Sequence, residues 1–358
     1  MAPAVDPAPP ALATPPRTET ESGQTRRLGI EIEFDGLDCE ETGSLLHRLF
    51  GGQIHWRDPY RVEIRNTRLG DFEVELDMSM AHPEGHPKRP SETPKAEDSE
   101  WERRAREEFE NFLERVEAEL AEAVGDLGSL WMPVEIVAPP IPWDRLPELD
   151  RLIAALRDAG AGGTRSGLLS AYGTQLNPEV ASTEPDYLLA VLRAYLLLSD
   201  WLREEIGVDL RRRVTPFVDP FPGSYADLVL DPGYAPDLGR LVGDYLVHNA
   251  TRNRELDLLP LFDHLASAQV RRRLPREKIH ARPTFHYRLP DTRLDKAAWS
   301  LTTEWNRWVT VERLAENKEL LAEGMARFRA YRRQFVPLGW PAESRSLAWA
   351  LMRNETTP

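Results

Sequence analysis

The chain has 358 residues, enough for one large domain or two small ones, and its 41% hydrophobic and 29% charged content is the balance of a globular protein. A formal net charge of -14 argues against nonspecific binding to nucleic acid or an anionic membrane, though not against a nucleotide carried by a metal and a few local arginines. No apolar run approaches membrane-spanning length, and the single cysteine, Cys39, excludes an internal disulfide and fits a reducing cytoplasm.

Residues 1–25 are Pro, Ala and Thr with scattered charge, lack the basic start and apolar centre of a signal peptide, and read as a disordered tail. Arg27 to Phe34 then alternates as a β-strand. Ile30, Ile32 and Phe34 point into a core, and Glu31 and Glu33 point together to the opposite face. A half-solvated strand would look the same, so the pair alone decides nothing. Repetition does. Phe72 to Asp77 has the same design, with Glu73, Glu75 and Asp77 on one face, and Pro133 to Val137 places Glu135 between apolar neighbours. Acids on adjacent strands repel one another, and a hard cation such as Mg²⁺ is the usual remedy.

Between these strands, Glu41 to Phe50 has a helical apolar stripe ended by Gly51-Gly52, and Arg61–Asn66 with Asp71–Asp77 predicts a hairpin. Residues 79–100 form a polar, proline-broken loop whose His82 and His86 lack a rigid frame for a metal. Trp101 to Val124 has the pattern of a long amphipathic helix. The strand bearing Glu135 is expected to stop at Pro139-Pro140, since proline cannot continue a central ladder. A helix over Asp144–Ala159 follows, closed by a glycine-rich loop that is no nucleotide-binding P-loop.

Ala171 to Glu179 predicts a strand with Gly173, Gln175 and Asn177 on one face. Asp186 to Ile206 is a strongly apolar helix, and residues 208–240 read as a Pro/Gly/Asp-rich ordered loop. Whether that loop or 79–100 covers the site is left open. Helices are expected over Gly239–Asn249, Leu258–Leu274 and Trp299–Phe335, before a tail with a short helix at 336–358. Within His280 to Asp291, Arg282, Thr284, His286 and Arg288 share one face if the chain is extended. Arginine recognises phosphate by planar, multidentate contact, although a salt-bridge network between strands would need the same residues.

Carboxylates and arginines in one polar trough suit a metal–nucleotide complex. Several segments in order resemble the amidoligase family, within the carboxylate–amine ligase superfamily of glutamine synthetase and glutamate–cysteine ligase. They are Gly29-Ile30-Glu31-Ile32-Glu33-Phe34, Gly70 to Asp77, Val134 to Pro140, Gly160-Ala161 with Gly163-Thr164, Gln175 to Glu179, and Arg282 to Asp291. The resemblance implies an α+β fold: a curved antiparallel sheet holding ATP and two or three Mg²⁺ (or Mn²⁺) ions, backed by helices, in one catalytic domain over 26–335. It implies an ADP-forming ligase that joins a small-molecule or peptide carboxylate to an amine through an acyl phosphate. By position, Glu31, Glu33, Glu75 and Glu135 match metal ligands, and Arg282 and Arg288 match the arginines at the transferred phosphate. Asp77 is expected to orient the amine or support a ligand. Gln175 and Asn177 are expected to contact the nucleotide, although a histidine often occupies this place in the superfamily. A homo-oligomer, or a partner amidotransferase or peptidase, stays open. The competing readings are another metal-dependent phosphoryl-transfer enzyme, such as a phosphohydrolase, and a non-catalytic nucleotide- or peptide-binding protein.

Overall fold

In the computed structural model, the described residues are 10–58, 60–76, 133–163, 172–207, 218–334 and 340–353. Alternation is the rule that builds the centre. In β1 (Arg27–Phe34), Leu28, Ile30, Ile32 and Phe34 are buried while the residues between them stay accessible. The same pattern runs through β3 (Arg61–Thr67), β4 (Gly70–Leu76) and β5 (Val134–Pro142). With β2 (Gln53–Asp58), β6 (Thr174–Pro178), β7 (Leu256–Asp257) and β8 (His286–Tyr287), they form one open, curved antiparallel sheet in the order β2-β3-β4-β5-β1-β6-β8-β7. One face is therefore apolar and the other charged. Each fully buried Ile or Phe on the apolar face contributes about 1.5–3 kcal/mol.

Nine α-helices complete the α+β fold among the described residues: α1 (Cys39–Phe50), α2 (Pro147–Asp158), α3 (Pro185–Ile206), α4 (Gly223–Val229), α5 (Leu238–His248), α6 (Leu259–Arg273), α7 (Leu301–Glu316), α8 (Lys318–Arg332) and α9 (Trp340–Arg353). None is long and apolar enough to cross a membrane. Helix α1 starts on a reciprocal capping box between Asp38 and Glu41 and lies on β3 and β4. Helix α3 has proline in its first turn and left-handed Gly207 at its end, and it packs against α7, α8 and α9. Phe285 and Tyr287 seal the layer between sheet and helices, stacking obliquely on Trp308 of α7. Their neighbours Arg282, Thr284, His286 and Arg288 are thereby left to the charged side.

The chain departs from the sequence expectations in several places. Residues 10–26 are an ordered strap rather than a disordered tail. Asn306 on α7 reads its backbone twice, accepting from Ala13 N (2.8 Å) and donating to Ala11 O (2.8 Å), and Trp305 Nε1 donates to Ala13 O (2.9 Å). Polar side chains satisfy the strap's main chain, a contribution that a Pro/Ala-rich composition does not reveal.

Strand β5 continues through Pro139 and Pro140 to Pro142. The register with β1 slips between Leu28 (opposite Ile141) and Ile30 (opposite Ala138), a bulge that absorbs the prolines. Pairing with β4 ends at Val137, so no ladder on that side needs the missing N–H groups. The edge strand β2 was not anticipated, because its residues are mostly exposed and carry no burial alternation; β3 supplies its ladder. Helix α4 interrupts the expected 208–240 loop, whose residues 208–217 lie outside the described set. Asn317 splits the final long helix into α7 and α8 by capping Leu320 N (3.0 Å). The C-terminal tail does carry a helix as expected, α9, and it packs on α3 with Trp340, Leu347 and Ala348 buried. The 79–100 loop with His82 and His86, and the Trp101–Val124 helix, lie outside the described residues.

Candidate active site

Cross-strand register lines the acids up. Arg61, Glu75, Glu135 and Glu33 are successive partners across β3, β4, β5 and β1. The neighbouring row is Glu63, Glu73, Val137, Glu31 and Gln175, ending on β6. Directly opposed residues share a face with Cβ atoms about 4.5–5.5 Å apart, so Glu75, Glu135 and Glu33 form a run of like charges. Arginine relieves part of it: Arg61 pairs with Glu75 and with Glu73 (3.2 Å). Asp77 lies outside the described residues.

The two β1 glutamates are held from β6, Glu33 also by the turn before it and Glu31 also by Arg282. Glu33 accepts from Gly173 N (2.9 Å) and Gln175 Nε2 (3.2 Å). Glu31 accepts from Asn177 Nδ2 (2.9 Å) and Arg282 Nη2 (3.2 Å). Gln175 and Asn177 thus position the acids, each spending its amide N–H on one of them. Gly29 faces Asn177, and a Cβ there would meet Asn177 Cβ at 3.3 Å. The missing side chain helps open a cleft of about 280 Å³ that Arg27, Gly29, Glu31, Asn177, Arg282 and Thr284 help to line.

Beyond Asn177 lies a group that the sequence pattern only half disclosed. His286 Nδ1 is 2.5 Å from Asn177 Oδ1 and 3.2 Å from Arg282 Nη2. Since Glu31 fixes which end of the Asn177 amide carries the hydrogens, its oxygen faces His286, and Nδ1 must donate. Burial, with Arg288, Arg282 and Arg252 nearby, holds the imidazole well below its ordinary pKa, so it is neutral. Opposite His286 in the β7–β8 pair sits Asp257, whose Oδ1 accepts from Leu259 N (2.9 Å). Arg288 is half-buried, its Nη1 donates to Arg252 O (2.5 Å), and it feels Asp257 and Glu33. Of the expected arginines, Arg282 touches Glu31, and Arg288 lies within electrostatic reach of Glu33 and Glu31. Asp257, Arg252 and the Gly173 N–H escaped the sequence reading. Asp257 sits in a two-residue strand and Arg252 in a loop, and neither has a periodicity to display.

Burial pushes the Asp257 carboxyl up to about 6, against the pull of the Leu259 N–H and of Arg288, Arg252 and Arg282. The folded state therefore holds this proton more tightly than the unfolded chain does. Its contribution is fully present below the unfolded value near 4 and disappears as pH rises through about 6. The stability difference between wild type and Asp257→Asn should change by about 2–3 kcal/mol between pH 4 and 7 in denaturant titrations. A difference independent of pH would refute the shift. Cys39, by contrast, is an inert packing residue, its thiol pushed up to about 11 by burial and then by Asp38.

Among the described residues no three His, Cys, Asp or Glu side chains converge into a ready-made metal cage. The acids form an extended row instead. Their donor chemistry is carboxylate oxygen only, which fits a hard cation such as Mg²⁺ or Mn²⁺, and Glu33, Glu135 and Glu75 stand opposite one another with like charge.

The open antiparallel sheet thus carries, on its free face, an acid row that meets Arg282 at Glu31. The chain matches the family described as "Putative amidoligase enzyme" over residues 24–310, and it belongs to that family. The match takes in every acid and arginine named above and supports a ligase. No curated protein matches the chain.

Proposed function

We propose that the protein is an ATP- and Mg²⁺-dependent carboxylate–amine ligase. A carboxylate oxygen attacks the γ-phosphorus of ATP and ADP leaves. The amine nitrogen then attacks the carbonyl carbon of the acyl phosphate, inorganic phosphate leaves, and the amine gives up a proton. The observation that carries the reading is the junction at Glu31, where the acid row of β1 touches Arg282 of the basic strand. Polyphosphate chemistry needs both signs of charge within reach of one another.

Glu31, Glu33, Glu75 and Glu135 would hold the metal ions, which would supply charge neutralisation at the phosphates. Gln175 and Asn177 keep the two β1 carboxylates aimed. Arg282 and Arg288 would take up charge on the phosphoryl group in flight. His286, neutral and donating through Nδ1, fixes Asn177 without adding a further positive charge to the arginine cluster. The substrates would be a small or peptide carboxylate and an amine, with no nucleic acid or membrane involved.

The test is ADP release with ATP and Mg²⁺ against a panel of acids and amines. Release that requires both an acid and an amine supports the ligase. Release with no amine requirement would establish a phosphohydrolase, and failure to bind nucleotide would leave a non-catalytic binding protein.

A further inference from the structure

Arg252 belongs to none of the roles assigned above, yet three features of its surroundings bear on a ligand. It sits in the loop between α5 and β7, and its side chain is one-third exposed. Its Nη1 donates to Lys278 O (2.7 Å), a main-chain acceptor. Its Nε is buried without a hydrogen-bond partner among the described residues and lies 3.9 Å from Asp257 Oδ2, which is also buried and partnerless. A separation of 3.9 Å is too long for a hydrogen bond, so the two groups are neighbours that have not closed into a pair. Open polar atoms of this kind are costly unless some state of the protein satisfies them.

Three guanidinium groups converge on this point. Arg252, Arg282 and Arg288 all bear on the same buried carboxylate, Asp257, and the same neutral imidazole, His286. Arg282 is tied to Glu31, and Arg288 is tied to the backbone carbonyl of Arg252. Among the described residues the Arg252 guanidinium donates to a main-chain carbonyl, Lys278 O, and not to a carboxylate. Turning it toward an incoming anion would break one hydrogen bond, to a loop carbonyl, and exchange its 3.9 Å approach to Asp257 for the anion.

We propose that Arg252 is a third phosphate-binding arginine, resting beside Asp257 and moving onto the terminal phosphate of the nucleotide when it binds. The proposal rests on the ligase reading above, which supplies the nucleotide. It gives Asp257 a function too, as the resting counter-ion that keeps three guanidinium groups together before the phosphate arrives. A fork of N–H donors on an arginine is suited to phosphate, and a lysine replaces it only as a point charge.

Calorimetric titration of the full chain with ATP and, separately, with ADP, each with Mg²⁺, tests this. Arg252→Gln should weaken ATP binding about 10- to 100-fold, the loss of one or two charge-assisted hydrogen bonds, and leave ADP affinity within about twofold. Arg252→Lys should recover part of the ATP affinity. Equal losses for ATP and ADP, or ATP affinity unchanged in the Gln variant, would overturn the assignment while leaving the ligase reading standing. Wild-type protein that binds neither nucleotide would overturn both.

Discussion

Replacing Glu31 and Glu33 together by Gln should lower ADP-forming turnover by about 10³-fold or more and leave the fold intact. Both side chains sit on the polar face of the central strand, and each is oriented by a β6 amide: Asn177 for Glu31 and Gln175 for Glu33. Gln keeps an oxygen for those amides but loses the charge that would hold a cation. Folding has little to lose. The row formed by Glu33, Glu135 and Glu75 is mutually repulsive, so removing a charge relieves it. Arg282 loses an ion-pair partner, but its side chain is one-third exposed, and such pairs are worth about 0–1 kcal/mol. Steady-state kinetics read against thermal unfolding of the same sample check both halves. Turnover within tenfold of wild type, in a folded double variant, would remove the β1 acids from the chemistry.

The largest stability loss is expected far from that face, at Glu312→Gln. Arg26, 1% exposed, directly precedes β1 and donates Nη1 and Nη2 to the Glu312 carboxylate at 2.8 and 2.6 Å. Its remaining donors reach Glu179 O and Arg17 O, both at 2.8 Å. Trp308 Nε1 completes the carboxylate at 2.7 Å. Burial opposes the Arg26 charge and Glu312 restores it, so the guanidinium stays ionised throughout. Removing the carboxylate charge strands a buried cation, which costs about 3–5 kcal/mol. Replacing both partners with apolar residues, Arg26→Met with Glu312→Leu, should cost much less, since desolvation of both charges disappears together. Urea midpoints with an unchanged slope measure the two variants. A loss below about 1 kcal/mol for Glu312→Gln would show that water reaches Arg26, contrary to the packing described here.

How much of this was legible in the sequence depends on whether a feature repeats. Alternation in Arg27–Phe34 and Phe72–Leu76 disclosed both the buried face and the acid face, since a period of two leaves no freedom in where Glu31, Glu33 and Glu75 point. The same logic placed Arg282, His286 and Arg288 together. Register was not legible. That Glu135 stands between Glu33 and Glu75, or that Asn177 reaches Glu31 while Gln175 reaches Glu33, follows from strand order, which no local pattern encodes. Single residues in irregular backbone were invisible as well. Asp257 and Arg252 gain their meaning from being brought beside His286 by a two-residue strand pair. Composition misled twice: the Pro/Ala-rich strap is ordered by polar side chains on α7, and Pro139-Pro140 are absorbed by a bulge where one neighbouring ladder has already ended.

The most direct test of the central claim follows one oxygen atom. With the acid–amine pair that supports ADP release, the acid is supplied with ¹⁸O in its carboxylate and the products are examined by mass spectrometry. Transfer through an acyl phosphate requires one carboxylate oxygen to leave with the phosphate. The prediction is therefore one ¹⁸O in the inorganic phosphate for each amide formed, and none when Glu31 and Glu33 are both replaced by Gln. Phosphate that carries oxygen from water instead, with the label retained in the acid, would contradict the ligase and identify simple hydrolysis of ATP.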